Sequence, residues 1–344
     1  MQQKIDVRGH WEQRWHPLRQ EWIVYAAHRN ARPWLGLTEE HQSNTPAYDP
    51  ECYLCPRNKR HNGKINPDYK DTFIFDNDHP VVGDGAPDVS ISDDPLFRKR
   101  RASGIARVVC YDPRHNITLT DMSFPEATAV FLALRTQMQE FRQNPEIQFV
   151  LIFENKGEIV GTSNQHPHCQ IYATNFTFKN IEQELAASEA YRHDHRGNIF
   201  QSILDFEQKD GARIIAENEH AIAFVPFFAQ YAYEVWIFPK KRHATLATQS
   251  DEELAGLVAA YQQVTRRYDR LFNMPFPYVM PFYQAPVDDR NYGDYHMHLV
   301  LLPPLRQPGI KKFLAGPEIG GGNFMADTIP EEKAAELQKI ILED

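Results

Sequence analysis

The sequence has few cysteines and no long apolar run. Four cysteines in 344 residues are too few for the disulfide framework of a small secreted protein. No apolar run is long enough to span a bilayer. The first residues, MQQKIDVRGHWEQRWHP, contain no signal-peptide core. We therefore expect a reduced, cytoplasmic protein that has no membrane partner.

An excess of basic residues is also missing. The chain has 37 basic and 46 acidic residues, which gives a net charge of −9. Proteins that bind nucleic acid usually present a basic face, so the negative net charge argues against a nucleic-acid partner. An anionic substrate would have to be held by a local cluster of side chains. The length suits about two domains.

The most informative motif is His166-Pro-His168-Cys-Gln170, which precedes a strand-like run. Alternate side chains of a strand point to the same face, so both histidines and the glutamine could converge on one site. A neutral imidazole is nucleophilic near pH 7, and a glutamine amide can donate to a phosphoryl oxygen. The alternative is that these histidines are ordinary polar surface residues.

A second motif, Cys52-Tyr-Leu-Cys55, is followed by a turn-rich stretch that begins at Pro56. A Cys-x-x-Cys pair together with two distant histidines is a common zinc ligand set. A redox pair usually opens a helix, whereas Pro56 and the polar residues after it indicate a loop. The spacing favours zinc over a redox pair or two unremarkable thiols.

The two halves of the sequence repeat one pattern. Ser123 with Glu126, and Ser250 with Glu253, form capping boxes that each open a helix between strand-like runs. Histidine positions repeat as well, because His168 follows His115 by 53 positions and His296 follows His243 by the same number. The pattern predicts an internally duplicated α+β fold with a mostly antiparallel sheet. The alternative is a coincidence of ordinary αβ units.

Seven segments, in this order, resemble the galactose-1-phosphate uridylyltransferases of the duplicated histidine-triad-like superfamily. They are HRNARPW (28–34), CYLC (52–55), FDNDHPVV (75–82), FENKG (153–157), HPHCQ (166–170), HMH (296–298) and KKFLAGPE (311–318). The resemblance implies two tandem histidine-triad-like units, an N-terminal unit over residues 1–180 and a C-terminal unit over 181–344. Simple histidine-triad hydrolases normally have a third histidine at the position of Gln170, so glutamine marks the transferase branch.

The resemblance also implies an activity. His168 matches the nucleophile, which takes UMP from UDP-glucose, releases glucose 1-phosphate and passes the UMP to galactose 1-phosphate. Gln170 would stabilise the charge that develops on the phosphoryl oxygens. Cys52, Cys55, His115 and His166 match ligands of a zinc ion with a positional role.

Further residues match substrate contacts of the family. Those expected to lie around the phosphates, the nucleoside and the transferred group are Arg29, Arg32, Asn77, Asp78, Asn155, Gly161, Thr162 and Ser163. Lys312, Phe313 and Glu318 match a segment that reaches toward the sugar from the other subunit, which implies a homodimer. Pro317 stands where relatives often have a tyrosine.

The resemblance extends to a second metal site in the C-terminal half. Glu184, His296 and His298 match three ligands of an iron or zinc ion, but Tyr283 falls on the position of the fourth. A phenol is a poor replacement for an imidazole. We therefore expect weak or absent metal binding here. The alternative to a metal site is a hydrogen-bonded cluster with Tyr283.

Other functions remain open from the sequence. The nearest is a related nucleotidyltransferase or phosphorylase acting on another nucleoside diphosphate sugar, such as ADP-glucose. A hydrolase would lose the nucleotide from His168 spontaneously. A third possibility, from a different class, is a catalytically idle nucleotide-binding or zinc-scaffold protein.

Overall fold

The computed structural model describes residues 11–31, 45–89 and 94–342, and its fold is α+β as predicted. The strands are β1 (Trp11–His16), β2 (Glu21–Ala26), β3 (Phe73–Asp76), β4 (Gly104–Cys110), β5 (Phe149–Lys156), β6 (His168–Thr174), β7 (Ile214–Glu217), β8 (Ala221–Phe224), β9 (Val235–Pro239), β10 (Tyr278–Tyr283), β11 (His298–Leu301), β12 (Leu305–Gln307), β13 (Ile310–Lys311) and β14 (Met325–Ala326). The α-helices are α1 (Phe124–Phe141), α2 (Lys179–His195), α3 (Ile199–Asp210), α4 (Asp251–Leu271) and α5 (Pro330–Gln338).

One nine-stranded sheet forms the centre of the protein. Its strands lie in the order β3, β4, β6, β5, β10, β11, β9, β8, β7, and all neighbours are antiparallel. The two halves of the chain meet where β5 pairs with β10, with Phe282 opposite Ile152. Counted outward from this junction, the strands lie in the orders β5, β6, β4 and β10, β11, β9. The two strand triplets therefore have the same connectivity. The predicted duplication therefore appears as two equivalent strand triplets in one shared sheet.

Both predicted capping boxes open helices. Glu126 accepts a hydrogen bond from the backbone N–H of Ser123 at 2.8 Å, and Glu253 does the same for Ser250 at 2.8 Å. The apolar stripes of α1 and α4 are buried in one hydrophobic cluster on a face of the sheet. No helix within the described ranges combines the length and the apolar surface that crossing a bilayer requires.

The alternation of β6 determines which of its side chains can take part in a site. Cys169, Ile171 and Ala173 point into the cluster beneath α1 and α4 and are fully buried. The intervening residues, His168 and Gln170 among them, lie on the opposite face and are only partly buried. That face is open to a ligand, because the helices cover the other one.

The other half of the sheet is covered on this second face by α2, α3 and the hairpin of β1 and β2, which share a second hydrophobic cluster. The predicted boundary between residues 180 and 181 falls in the first turn of α2. Because both halves contribute to one continuous sheet, this boundary stays a prediction about the sequence repeat.

Candidate active site and metal centre

Four predicted metal ligands lie together beside the start of β6. Ligand atoms of Cys52, Cys55, His115 and His166 all lie within 4.8 Å of one another, and all four residues are buried. The Nδ1 atoms of both histidines lie 3.5 Å from the Sγ of Cys55. Two thiols and two imidazoles at this spacing form a set that could hold a metal ion. The convergence of the histidines on the cysteines favours a metal site over a redox pair.

Neighbouring residues fix the orientation of this group. The Nε2–H of His166 donates to the backbone oxygen of Asp112 at 2.8 Å, which leaves Nδ1 without a proton and facing the sulfurs. The Tyr69 hydroxyl lies 3.3 Å from the same Nε2. On the other side, the side-chain amide of Asn164 donates to the Sγ of Cys52 at 3.4 Å. A metal ligand needs a free lone pair, and the contact with Asp112 directs the Nδ1 lone pair of His166 toward the sulfurs.

The two thiols differ in acidity. Burial alone would raise the pKa of Cys52, but hydrogen bonds with His115, the backbone N–H of Leu54 and the Asn164 amide lower it to about 5. Burial and the charge of Cys52 raise the pKa of Cys55 to about 12. The group thus provides one ready thiolate and a second thiol that a bound cation would deprotonate.

His168 has a defined tautomer. Its Nδ1–H donates to the backbone oxygen of His166 at 2.7 Å, because a carbonyl oxygen can only accept. The Nε2 atom therefore carries the lone pair. Burial lowers the pKa of His168, which keeps the imidazole neutral.

The expectation that His166 shares a face with His168 and Gln170 is wrong, because β6 begins at His168 and His166 turns toward the cysteines.

Gln170 lies on the same face of β6 as His168 and is held by two donors. Its Oε1 accepts from the Nδ2 of Asn77 at 3.4 Å and from the hydroxyl of Tyr172 at 3.2 Å. Because the carbonyl oxygen is occupied in this way, the amide hydrogens remain available to an incoming acceptor. Asn77, which is a predicted substrate contact, therefore also orients the side chain of Gln170.

The end of β5 and the loop after it bring four predicted contact residues to this face. Together with His168 and Gln170, a small cavity of about 30 Å³ is lined by Asn155, Gly161, Thr162 and Ser163. Gly161 has a φ of 87°, in the left-handed region that favours glycine, and the Thr162 hydroxyl donates to the backbone oxygen of Asn155. A larger cavity of about 510 Å³ opens on the metal side of His168.

Asp78 is held by the loop that follows the Cys52–Cys55 motif. Its Oδ1 accepts from the Nδ2 of Asn62 at 2.6 Å and lies 3.7 Å from the Nη2 of Arg60. The Arg60 guanidinium lies over the ring of Phe75, 4.2 Å from its centroid. Both charged side chains are more than nine-tenths buried. Arg60 thus connects the loop that follows Cys55 to the end of β3.

The remaining predicted contacts form a separate group. The Nε of Arg29 lies 3.6 Å from Asp327, and the Nζ of Lys312 lies 2.6 Å from Glu318. The side chain of Gln307, close to this segment, donates to Asn30 beside Arg29. Phe313 is partly exposed, and Arg32 lies outside the described residues. In the described part of the chain, the ion pairs of Arg29, Lys312 and Glu318 are with Asp327 and between Lys312 and Glu318, and none involves His168.

The predicted second metal ligands are buried, but their carboxylate has another partner. Glu184 forms an ion pair with Arg19 at 2.7 Å, and its second oxygen accepts from the Tyr295 hydroxyl at 2.5 Å. The Tyr283 hydroxyl accepts instead from Asn180 at 3.2 Å. The alternative, a hydrogen-bonded cluster with Tyr283, is therefore wrong, because the partners of Glu184 are Arg19 and Tyr295.

Sequence reasoning missed three residues that shape these sites. They are Arg19, Arg60 and Asn164. Asn164 stands two positions before His166 and its Oδ1 accepts from that backbone N–H at 2.9 Å, a local signal that could have been recognised. The two arginines act on residues distant in sequence and leave no local pattern.

Comparison with known proteins finds similar proteins over nearly the whole chain. Residues 2–177 and 184–343 match the profiles of the N-terminal and C-terminal domains of galactose-1-phosphate uridyl transferase. The galactose-1-phosphate uridylyltransferase of Haemophilus influenzae is 36% identical, with 96% of this chain and 95% of that protein covered. The enzyme of the same name from Saccharomyces cerevisiae is 33% identical, with 98% and 96% covered.

Solved structures agree as well. A uridylyltransferase mutant superposes with a TM-score of 0.77 at 28% identity, over 95% of this chain and 97% of that one. An ADP-glucose phosphorylase from Arabidopsis thaliana has a TM-score of 0.76 at 20% identity, over 96% and 99%, which shows a shared fold only. The full-length matches at more than 30% identity decide the family, and this chain belongs to the galactose-1-phosphate uridylyltransferases.

Proposed function

We propose that this protein transfers UMP from UDP-glucose to galactose 1-phosphate through a uridylyl-histidine intermediate on His168. The observation that carries the proposal is the pairing of two features on one face of β6. These are an imidazole whose Nε2 lone pair is free and a glutamine whose carbonyl is already occupied. The names of the relatives support the choice of substrates.

In the first half-reaction, Nε2 of His168 attacks the α-phosphorus of UDP-glucose. A phosphorus–nitrogen bond forms while the bond to the bridging oxygen breaks, and glucose 1-phosphate leaves with the electron pair. In the second, a phosphate oxygen of galactose 1-phosphate attacks the same phosphorus and the imidazole leaves. Phosphate and imidazole are both good leaving groups, so strong general-acid help is unnecessary. The amide of Gln170 donates to the non-bridging oxygens.

The nucleoside would lie toward Asp78, where a carboxylate can accept hydrogen bonds from ribose hydroxyls. Asn62 donates a hydrogen bond to this carboxylate and Arg60 forms an ion pair with it, and both contacts support its orientation. The Asn155 side chain and the loop at Gly161–Ser163 would surround the phosphates, as they line the cavity beside His168.

We further propose zinc as the ion of the cysteine–histidine group, because four soft or borderline ligands form a closed structural site. When bound, the ion would supply cross-linking and charge neutralisation. Its effect on the chemistry would pass through the backbone, since the carbonyl of His166 holds the ring of His168.

A homodimer with composite active sites accounts for the two separate groups of predicted contacts. Among the described residues, Arg29 forms an ion pair with Asp327, and Lys312 forms one with Glu318. If this group contributes to the site of the partner, each active site would receive phosphate- and sugar-binding residues from the second chain.

Incubation with UDP-glucose labelled in the uridine separates the candidate functions. Acid-labile label on the protein, discharged by galactose 1-phosphate into UDP-galactose, supports transfer. Release of free UMP would indicate a hydrolase, and reversible binding alone an idle nucleotide-binding protein. A parallel incubation with labelled ADP-glucose tests the donor base. Label from ADP-glucose but not UDP-glucose would overturn the proposed substrate and retain the mechanism.

A further inference from the structure

Each oxygen of the buried Glu184 carboxylate has a donor from the protein. It lies on α2, is fully buried, and one oxygen lies 2.7 Å from the Nη1 of Arg19. Its other oxygen accepts from the Tyr295 hydroxyl at 2.5 Å. A buried carboxylate needs a positive partner or several hydrogen bonds. Here the protein supplies both from its own side chains.

Arg19 reaches Glu184 from the turn that joins β1 to β2. The next residue, Gln20, has a φ of 55°, and this turn directs the guanidinium into the C-terminal half. Its Nη1 also donates to the backbone oxygen of Asn180 at 3.1 Å, and the guanidinium lies 4.9 Å from the centroid of the Tyr283 ring. Only 11% of the Arg19 side chain is exposed, so the cation is a built part of this site.

Two buried histidines, His296 and His298, lie beside this ion pair. The Nδ1–H of His298 donates to the backbone oxygen of His296 at 3.0 Å, the arrangement also seen between His168 and His166. Its Nε2 lies 3.9 Å from Glu184, without a hydrogen bond among the described residues. Among the described residues, the Arg19 guanidinium at 2.7 Å is therefore the cation closest to Glu184.

We propose that the guanidinium of Arg19 replaces the second metal ion that the family resemblance implies, as the resident counter-charge of Glu184. An ion at this position would meet a positive guanidinium in place of an unpaired carboxylate. It would also meet the ring of Tyr283 in place of an imidazole. The residues present therefore do not fit a second ion, and the site braces the N-terminal hairpin against α2. This inference does not depend on uridylyl transfer, and its tests measure metal content.

The first test is the metal content of the full-length protein after exposure to both zinc and iron. We expect about one ion per chain, all of it lost in a Cys52→Ser/Cys55→Ser variant, because among the described residues that set alone brings four ligand atoms within 4.8 Å of one another. A second ion that persists in this variant and disappears in His298→Asn would overturn the proposal.

The second test adds cobalt to protein preloaded with zinc. Replacing both obstacles in Arg19→Met/Tyr283→His should create a site for about one further cobalt ion, held by one carboxylate and three imidazoles. The matched control is Arg135→Met/Tyr283→His, which removes another largely buried, ion-paired arginine but retains Arg19. The control should bind no additional cobalt.

A folded Arg19→Met/Tyr283→His variant that binds no extra cobalt would overturn the proposal, as would extra cobalt in the Arg135 control. If the double variant does not fold, the wild-type stoichiometry decides. The conservative Arg19→Lys change should keep the site free of metal, because it preserves the positive charge beside Glu184. Cobalt binding by that variant at His298 would also contradict the inference.

Discussion

The Nδ1–H of His168 donates to the backbone oxygen of His166 at 2.7 Å, so the proposed nucleophile is held by the backbone of a proposed metal ligand. The side chain of His166 faces Cys55 while its carbonyl faces His168. This one residue connects the metal group to the reacting imidazole. The relationship explains how an ion without direct contact to substrate could still affect catalysis, by fixing the position and tautomer of the nucleophile.

Replacing His168 by Asn should abolish covalent labelling and lower the transfer rate by roughly 10⁴-fold or more, since the nucleophile itself is lost. The measurement is exchange of labelled glucose 1-phosphate into UDP-glucose, with melting temperature to check folding. His220→Asn, at a partly exposed histidine of the other half, is the control and should retain activity. Comparable exchange by His168→Asn would rule out the assignment.

Gln170→Ala should lower the transfer rate about 10²–10³-fold with little change in the melting temperature, because an oxyanion donor is lost. Tyr172→Phe removes only a hydroxyl that orients Gln170 and should cost less than 10-fold, on the scale of about 1 kcal/mol for one hydrogen bond. Single-turnover labelling measures both effects. Equal losses in the two variants would show that Gln170 does not contact the reacting group.

Cys52→Ser should lose the metal ion together with at least about 3 kcal/mol of stability, because an ion that binds only the folded state stabilises it by mass action. Metal analysis and denaturant unfolding provide the two readouts. Cys110→Ser, at a buried cysteine outside the four-ligand group, is the control and should retain the metal. Full metal content in a Cys52→Ser/Cys55→Ser variant would exclude the site.

Mixing two inactive variants tests whether the active site is composite. His168→Asn and Glu318→Gln, unfolded and refolded together, should recover about a quarter of the wild-type activity, because half the dimers are mixed and each has one intact site. His168→Asn mixed with Gln170→Ala is the control, since both residues act in the same unit, and should recover nothing. No recovery in the first mixture would indicate that Glu318 serves its own chain.

Stability should also fall as pH rises through neutrality because of Glu154. Burial raises its pKa to about 7, although Lys156 and a hydrogen bond from Tyr278 oppose the shift. A raised carboxyl pKa adds stability that is complete below the unfolded value and is lost as pH rises through about 7. Glu154→Gln should therefore reduce the change in the free energy of unfolding between pH 5 and 8, by up to about 3 kcal/mol. Unfolding by urea across this range measures it, and an unchanged pH profile would contradict the shift.

Local patterns in the sequence determined much of the fold. The capping boxes at Ser123 and Ser250 predicted the starts of α1 and α4, because a cap is satisfied within one helical turn. The alternation in β6 placed His168 and Gln170 on one face for the same kind of reason. It failed at His166, where the strand has not yet begun and the cysteine group determines the direction of the ring.

Only the tertiary structure decided which charged residues meet. Arg19 and Glu184 are 165 positions apart, and neither the hairpin turn nor α2 carries a pattern that indicates the other. The same holds for Arg60 beside Asp78 and for the contact of Arg29 with Asp327. The sequence determines which residues could be metal ligands, because ligand type and spacing are local properties. Whether a cation from the chain already occupies the place of the ion depends on how distant segments pack, and no periodicity encodes that.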